Sequence, residues 1–207
     1  MSKKKIAIQG ELGAYSHIAA ENLYKDSEIK TCTTFEETFK QAYNDPSYKI
    51  VIPIENSLAG RVADIHYLLP KYKLQIHGEH FQEVEHNLLC KPDATMSDIK
   101  FVRSHAQAIG QCQNLITKKK FKPIISADTA GSAKDLAEGK DKTIAAIASE
   151  LSAKIYNLKI LEKNIEDETG NVTRFLIMGK NIEQPEFKKE KKFITSCIFR
   201  VKSEPSA

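Results

Sequence analysis

Apolar positions along this 207-residue chain fall into two alternating kinds of run: short stretches rich in β-branched residues, and longer segments with apolar side chains every three or four residues. The stretch KIAIQ, residues 5–9, is expected as a first strand. Residues 14–25 then read as a helix, with Ala14, Ile18 and either Ala19 or Leu23 on one face, and residues 35–43 repeat the spacing with Phe35, Phe39 and Ala42. Residues 50–54 are apolar at successive positions, the pattern of a strand covered on both faces. Helical spacing returns over 61–69 through Val62, Ile65 and Leu69, and Pro70 is expected to end it.

Residues 74–90 look extended, with IHGEHF and HNLLC as strand candidates, and form the passage into a second lobe. The pattern then restarts, with strands at 99–102, 124–127 and 143–147 alternating with helices at 106–116, 130–138 and 149–156. Strands at 158–161 and 173–178 complete it. This alternation predicts an α/β chain with a largely parallel sheet. The restart divides it into a first lobe of residues 1–78 plus 172–180 and a second of 79–171. NIEQPEFKKEKK is charged and carries a proline, so 181–192 read as a linker, and the residues from 193 to 207 open with strand alternation.

Composition narrows the function classes. With 41% hydrophobic residues the chain buries a real core. The formal charge of +4 is scattered or held in short lysine runs rather than on one basic face with interleaved aromatics, which argues against nucleic-acid binding. Cys32, Cys90, Cys112 and Cys197 lie far apart with no C-x-x-C spacing and read as reduced thiols. The basic start MSKKKIAIQG has no signal-peptide core, and no window reaches transmembrane length, so a cytoplasmic protein with no membrane partner is expected.

In open α/β sheets, ligands bind beyond the carboxyl ends of the strands, where helix N-termini offer free N–H groups. The candidate strand ends here carry QGELGAYS, PIENSLAG, RSHAQAIGQC and DTAGS. They share hydroxyl, amide and carboxylate residues, a set suited to a polar anion held by neutral donors. GELGAYS matches neither G-x-x-x-x-G-K-[ST] nor G-x-G-x-x-G, so Gly13 is read as a turn glycine. Ser104 is expected to cap a helix, with Gln107, Gln111 and Asn114 as a polar stripe at helical spacing, and Asp128 or Thr129 to cap another. His77, His80 and His86 match no common zinc spacing, so no metal is expected. Ser104 and His105 are adjacent on a strand and diverge, which excludes a ready nucleophile–base pair.

Taken in order, KIAIQGELGAYSHIAA, VIPIENSLAGRV followed by Asp64, RSHAQAIGQC, DTAGSAKDLA, AAIASELSAKIYNLKIL and NVTRF resemble the prephenate dehydratases over about residues 4 to 180. The resemblance implies a catalytic domain of two α/β lobes, similar to a type II periplasmic binding protein, with the active site in the interlobe cleft. It implies a cofactor-free lyase that converts prephenate to phenylpyruvate, water and carbon dioxide in phenylalanine biosynthesis, and a homodimer. It further implies that ITSCIFRVKSEPSA is the incomplete first strand of an ACT regulatory domain, leaving a phenylalanine effector site unformed.

By the same resemblance Thr173 is the proton donor to the departing ring hydroxyl, while Asn56, Gln111, Ser104 and Glu55 are linked to catalysis or substrate binding. Ser57, Thr129, Gly13, Ala14 and Arg174 complete the expected substrate-binding set. The family commonly has S-H-P-Q where this chain has Ser104-His105-Ala106-Gln107, a change expected to leave activity intact. Glu55, ionised beside a dianion, would repel it and is expected to point away, to be protonated or to brace Asn56. Arg174 faces away from Thr173 on a strand, so an ion pair behind the strand competes with a role on substrate carboxylate. Two alternatives stay open: arogenate as substrate, and a non-catalytic module that binds a small carboxylate.

Overall fold

Ile6, Ala7 and Ile8 are wholly excluded from solvent, which requires a strand with both faces covered. The computed structural model describes residues 3–181 together with 189, 190 and 192. In it β1 (Lys5–Gln9) lies between β2 (Glu28–Cys32) and β3 (Tyr48–Asn56), parallel to both. On its far side β3 pairs antiparallel with β11 (Val172–Gly179), which in turn pairs antiparallel with β5 (Gln75–Glu83). The short β4 (Gly60–Arg61) folds back on the end of β3. One face packs Phe39 of α2 (Phe35–Asn44) and Ile65 and Leu68 of α3 (Ala63–Tyr72) on Ile50, Ile52, Leu176 and Met178. The other packs Ala19 and Ala20 of α1 (Tyr15–Leu23) on Ile6, Ile8, Val51, Phe175 and Ile177.

The second sheet has the order β10 (Lys159–Glu162), β6 (Asn87–Cys90), β9 (Ile144–Ala148), β7 (Phe101–His105), β8 (Lys122–Ser126). Strand β7 is parallel to β8 and β9, whereas β6 is antiparallel to β9 and β10. It is flanked by α4 (Ala106–Gly110), α5 (Gln113–Lys119), α6 (Thr129–Glu138) and α7 (Glu150–Ile155). The chain crosses between the lobes twice, after β5 and before β11. The crossings are bonded where they pass: Val84 N–H donates to the Asn171 carbonyl at 2.8 Å, and Ile165 N–H to the His86 carbonyl at 2.9 Å. Among the described residues no helix is long and apolar enough to cross a membrane.

The two lobes and their alternating elements match the expectation, with several corrections. Each sheet is mixed rather than largely parallel, because the crossing strands β5, β6 and β11 enter antiparallel. The division at 78/79 cuts β5, which stays in the first sheet to Glu83. β5 is an edge strand with no buried position, so IHGEHF reads as extended but its sequence does not mark where the first sheet ends. Strand β2 was not expected: it is an edge strand with only Cys32 buried. Pro70 does not end α3, which runs on to Tyr72 before left-handed Lys73 closes it. Pro70 removes one bond, the one its N–H would make to the His66 carbonyl, and the helix bonds on beyond it, Lys73 N–H donating to the Leu69 carbonyl at 3.1 Å. The expected linker and ACT strand lie, apart from 181, 189, 190 and 192, outside the described residues.

The loop after β1 docks on the second lobe. Ser149, the N-cap of α7, and Ser152 donate their hydroxyls to the Gly13 carbonyl at 2.6 and 3.1 Å, and Tyr156 donates to the Leu12 carbonyl at 2.9 Å. Gly13 has φ +91°, and a Cβ there would stand 2.4 Å from Ser152 Oγ and 2.8 Å from Ser152 Cα. Gly13→Ala is therefore expected to destabilise the fold by about 2–4 kcal/mol, adding left-handed strain to overpacking. Urea unfolding with an unchanged slope and a lowered midpoint is the expected readout; an unmoved midpoint contradicts this account.

Candidate active site

Antiparallel pairing of β11 with β3 sets Thr173 directly opposite Asn56. Strand alternation then carries Asn171 and Thr173 to one face and turns Arg174 to the other. That face forms one wall of a cleft of about 480 Å³ between the lobes. Helix N-termini surround it. Ala14 is the N-cap of α1 and no side chain caps this helix, so the first-turn N–H groups of Tyr15 and Ser16, residues that line the cleft, have no acceptor among the described residues. Thr129 opens α6 behind Asp128, whose Oδ1 accepts Gly131 N–H. Phe35, Pro53 and Phe175 supply apolar wall.

The polar groups are joined in a chain with a fixed direction. Asn56 Oδ1 accepts the backbone N–H groups of Leu58 and Ala59 at 3.0 and 2.8 Å, so its nitrogen must face the other way. Its two N–H bonds go to Asn171 Oδ1 at 2.6 Å and Thr173 Oγ1 at 2.9 Å. Asn171 Nδ2 in turn donates to Gln111 Oε1 at 3.1 Å. Both backbone amides thus dictate every amide orientation along the wall. Thr173, 8% exposed, receives a hydrogen bond from Asn56, and its own O–H has no acceptor among the described residues.

Gln111 reaches the wall because its helix breaks. The expected helix over 106–116 is two helices, α4 and α5, with Gln111 and Cys112 at the join. The second crossing inserts there: Asp167 N–H donates to the Gln111 carbonyl at 2.7 Å, and Asp167 Oδ1 accepts Asn114 N–H at 3.0 Å. Of the expected stripe, Gln107 and Gln111 line the cleft and Asn114, whose N–H is bonded by Asp167, does not.

Other expected site residues sit elsewhere. Ser104 is fully buried and donates its hydroxyl to the Ile147 carbonyl at 2.6 Å, tying β7 to β9; the cap of α4 is His105. Ser57 accepts Val172 N–H at 3.0 Å and holds the second crossing to β3 rather than lining the cleft. Gly13 serves the contact between lobes described above. Glu55 is exposed and outside the cleft lining, on the strand face opposite Asn56. Arg174 pairs with Glu79 at 2.5 Å behind the strand. Thr173, Asn56, Gln111, Thr129 and Ala14 all line the cleft.

Sequence reasoning passed over Asn171, His86, Tyr15 and Arg61. The two-residue spacing of Asn171 from Thr173 could have found the first. His86 Nε2 lies 2.9 Å from Gln111 Oε1 and its Nδ1 lies 3.0 Å from the Tyr15 hydroxyl. Burial pushes the His86 pKa down, against the pull of Gln111 and Glu166. Burial, then Glu166, pushes the Tyr15 phenol well above its ordinary value. Burial, then Asp167 and Glu166, pushes the Cys112 thiol up to about 12, which removes it as a nucleophile at neutral pH. Arg61, exposed on the lip, is the single lysine or arginine lining the cleft, and no acid pairs with it among the described residues. Among those residues no three His, Cys, Asp or Glu side chains gather as a metal site.

A family model described as prephenate dehydratase matches residues 6–183. The chain is 39% identical over 205 residues to the bifunctional N-acyl-homoserine lactone acylase/prephenate dehydratase of Komagataeibacter europaeus, covering 98% of this chain and 72% of that protein. It is 38% identical over 204 residues to arogenate dehydratase/prephenate dehydratase 2, chloroplastic, of Arabidopsis thaliana, covering 99% of this chain and 53% of that one. It spans about half the length of the plant relatives it matches. The prephenate dehydratase of Arthrobacter aurescens, crystallised with L-Phe, superposes with a TM-score of 0.81 at 25% identity, over 89% of this chain and 63% of that one. That of Staphylococcus aureus superposes at 0.73 with 27% identity, over 86% and 67%. With the matched family model spanning both lobes and the cleft between them, the chain belongs to the prephenate dehydratase family.

Proposed function

We propose that the cleft binds prephenate and converts it to phenylpyruvate, carbon dioxide and water. The observation that carries this reading is the polarity of Thr173: its oxygen accepts the Asn56 N–H, and its own proton, on a residue that lines the cleft, has no acceptor among the described residues. In the reaction the electron pair of the bond to the ring carboxylate moves into the ring, the opposite C–O bond breaks, and the hydroxyl takes one proton and leaves as water. Aromatisation drives these steps, so the protein has to orient the dianion and supply that proton or a strong hydrogen bond. The hydrogen bond from Asn56 to Thr173 Oγ1 stabilises negative charge developing on that oxygen as its proton shifts, and solvent entering the open cleft restores the proton.

Neutral donors suit a substrate that must lose one of its carboxylates. Gln111 Nε2 and the first-turn N–H groups of α1 offer hydrogen bonds without tight ion pairing, and the apolar wall of Phe35, Pro53 and Phe175 disfavours a bound anion relative to departing carbon dioxide. Arg61 on the lip supplies long-range attraction for a dianion. Arogenate is the second reading, and several relatives carry that name. Its ammonium group would need an anionic partner, and the cleft lining offers one carboxylate, Asp128, whose Oδ1 caps α6 while its Oδ2 has no hydrogen bond among the described residues. Against several neutral donors this is a single group, and prephenate stays the first reading.

Thr173→Val is expected to lower kcat on prephenate by about 10²–10⁴-fold with the fold intact, the range for losing a general acid; a kcat within threefold of wild type contradicts the assignment. With both substrates assayed side by side, kcat/KM is expected to be higher for prephenate. A preference for arogenate would replace the first reading with the second, and a folded protein with no turnover of either would leave only the binding module.

A further inference from the structure

We propose that His86 is a positioning residue that holds the Gln111 amide with its nitrogen toward the cleft, through a hydrogen bond from His86 Nε2–H to Gln111 Oε1. This rests on the prephenate reading for its consequence in turnover, but the geometry stands without it. Gln111 Oε1 has two neighbours, Asn171 Nδ2 at 3.1 Å and His86 Nε2 at 2.9 Å. The orientation of Asn171 is set through Asn56 by the backbone amides of Leu58 and Ala59, so the Gln111 atom they share must be the oxygen. An oxygen 2.9 Å from Nε2 requires the proton to be on Nε2. The opposite tautomer would set two lone pairs against each other.

His86 itself is clamped. It is 2% exposed, its N–H donates to Glu166 Oε2 at 2.9 Å, and its carbonyl accepts Ile165 N–H at 2.9 Å. Tyr15 stands edge-on to the imidazole at 5.8 Å between ring centroids, and its hydroxyl reaches Nδ1 at 3.0 Å and the Glu85 carbonyl at 2.6 Å. Turning the ring over would put a C–H where Gln111 expects a donor and another where Tyr15 meets nitrogen. The phenol's single proton cannot serve both the Glu85 carbonyl and Nδ1, so Tyr15 fixes the plane of the ring and not its tautomer, and the proton on Nε2 is required by Gln111 Oε1 alone. The consequence falls on Gln111 Nε2, which has no acceptor among the described residues and lies on the cleft wall. Losing the imidazole leaves the amide held by Asn171 alone, and about one hydrogen bond's worth of bias against a flip is gone.

Because Gln111 Nε2 would contact bound substrate in the ground state and the transition state alike, the loss appears as weaker binding rather than slower chemistry. His86→Leu is expected to raise KM for prephenate about tenfold and to weaken phenylpyruvate binding by a similar factor in calorimetry, with kcat within about threefold. His86→Gln, which restores an N–H donor near the Nε2 position, is expected to recover most of both. Nitrogen-15 NMR of the wild-type protein at neutral pH is expected to show His86 protonated at Nε2. A protonated Nδ1 with a bare Nε2, or a folded His86→Leu variant with unchanged phenylpyruvate affinity, overturns the proposal. Should wild type fail to turn over prephenate, the function reading falls while the tautomer still decides the positioning role. Should His86→Leu fail to fold, the tautomer and the His86→Gln binding comparison decide it, equal weakening in a folded His86→Gln counting against.

Discussion

Antiparallel pairing between β3 and β11 is the contact on which the cleft depends. β11 returns from the second lobe and inserts between β3 and β5, burying Phe175, Leu176, Ile177 and Met178 on both faces of the first sheet. That burial stabilises the return of a distant segment against the entropy of closing so long a loop. It also settles a chemical question, because a register slip of one residue would exchange the faces of Thr173 and Arg174. In the observed register Thr173 meets Asn56 and Arg174 meets Glu79, so a hydroxyl faces the cleft and the guanidinium is neutralised behind it.

A second constraint is the satisfaction of polar groups in a place with little water. Asn56, Asn171, Gln111 and His86 come from β3, the two crossings and the broken helix, and each orients the next. Low local dielectric makes a wrongly oriented amide expensive, so two backbone N–H groups at one end suffice to impose direction on the whole row. Donors left over at such a wall are the exceptions, and they are Thr173 Oγ1–H and Gln111 Nε2. The row also runs through both crossings, so the geometry at Thr173 is tied to the junction of the lobes rather than to one lobe alone.

Much of the fold could be read along the chain, since β1, β3 and β11 are apolar runs and α2 and α6 carry both periodicity and caps. What escaped were elements whose stability comes from position rather than composition. β2 is an edge strand held by backbone pairing whose mixed side chains leave no pattern, and β5, expected as a strand through IHGEHF, is an exposed edge strand whose side chains do not mark where the first lobe ends. The helix break at Gln111 escaped because its cause, Asp167, lies far along the chain in the second crossing. Ser104 illustrates the converse: a serine before a helix is a natural cap in sequence, yet a buried carbonyl on the neighbouring strand claimed its hydroxyl.

Sequence by itself determined the alternation of strands and helices, the restart that makes two lobes, and which residue types stand at the strand ends, because periodicity and turn chemistry are local properties of the chain. It also separated Thr173 from Arg174, since alternate facing on a strand needs no partner. Which candidates converge was decided only by tertiary structure. Gly13, Ser57 and Ser104 went to the joints between elements, while Asn171 and Arg61, from the same stretches as Thr173 and Asn56, and His86, from the first crossing, came to the cleft. The reason is physical: a hydrogen bond's direction depends on what the partner's other atoms are already bonded to, and that is known only when the distant strands have met.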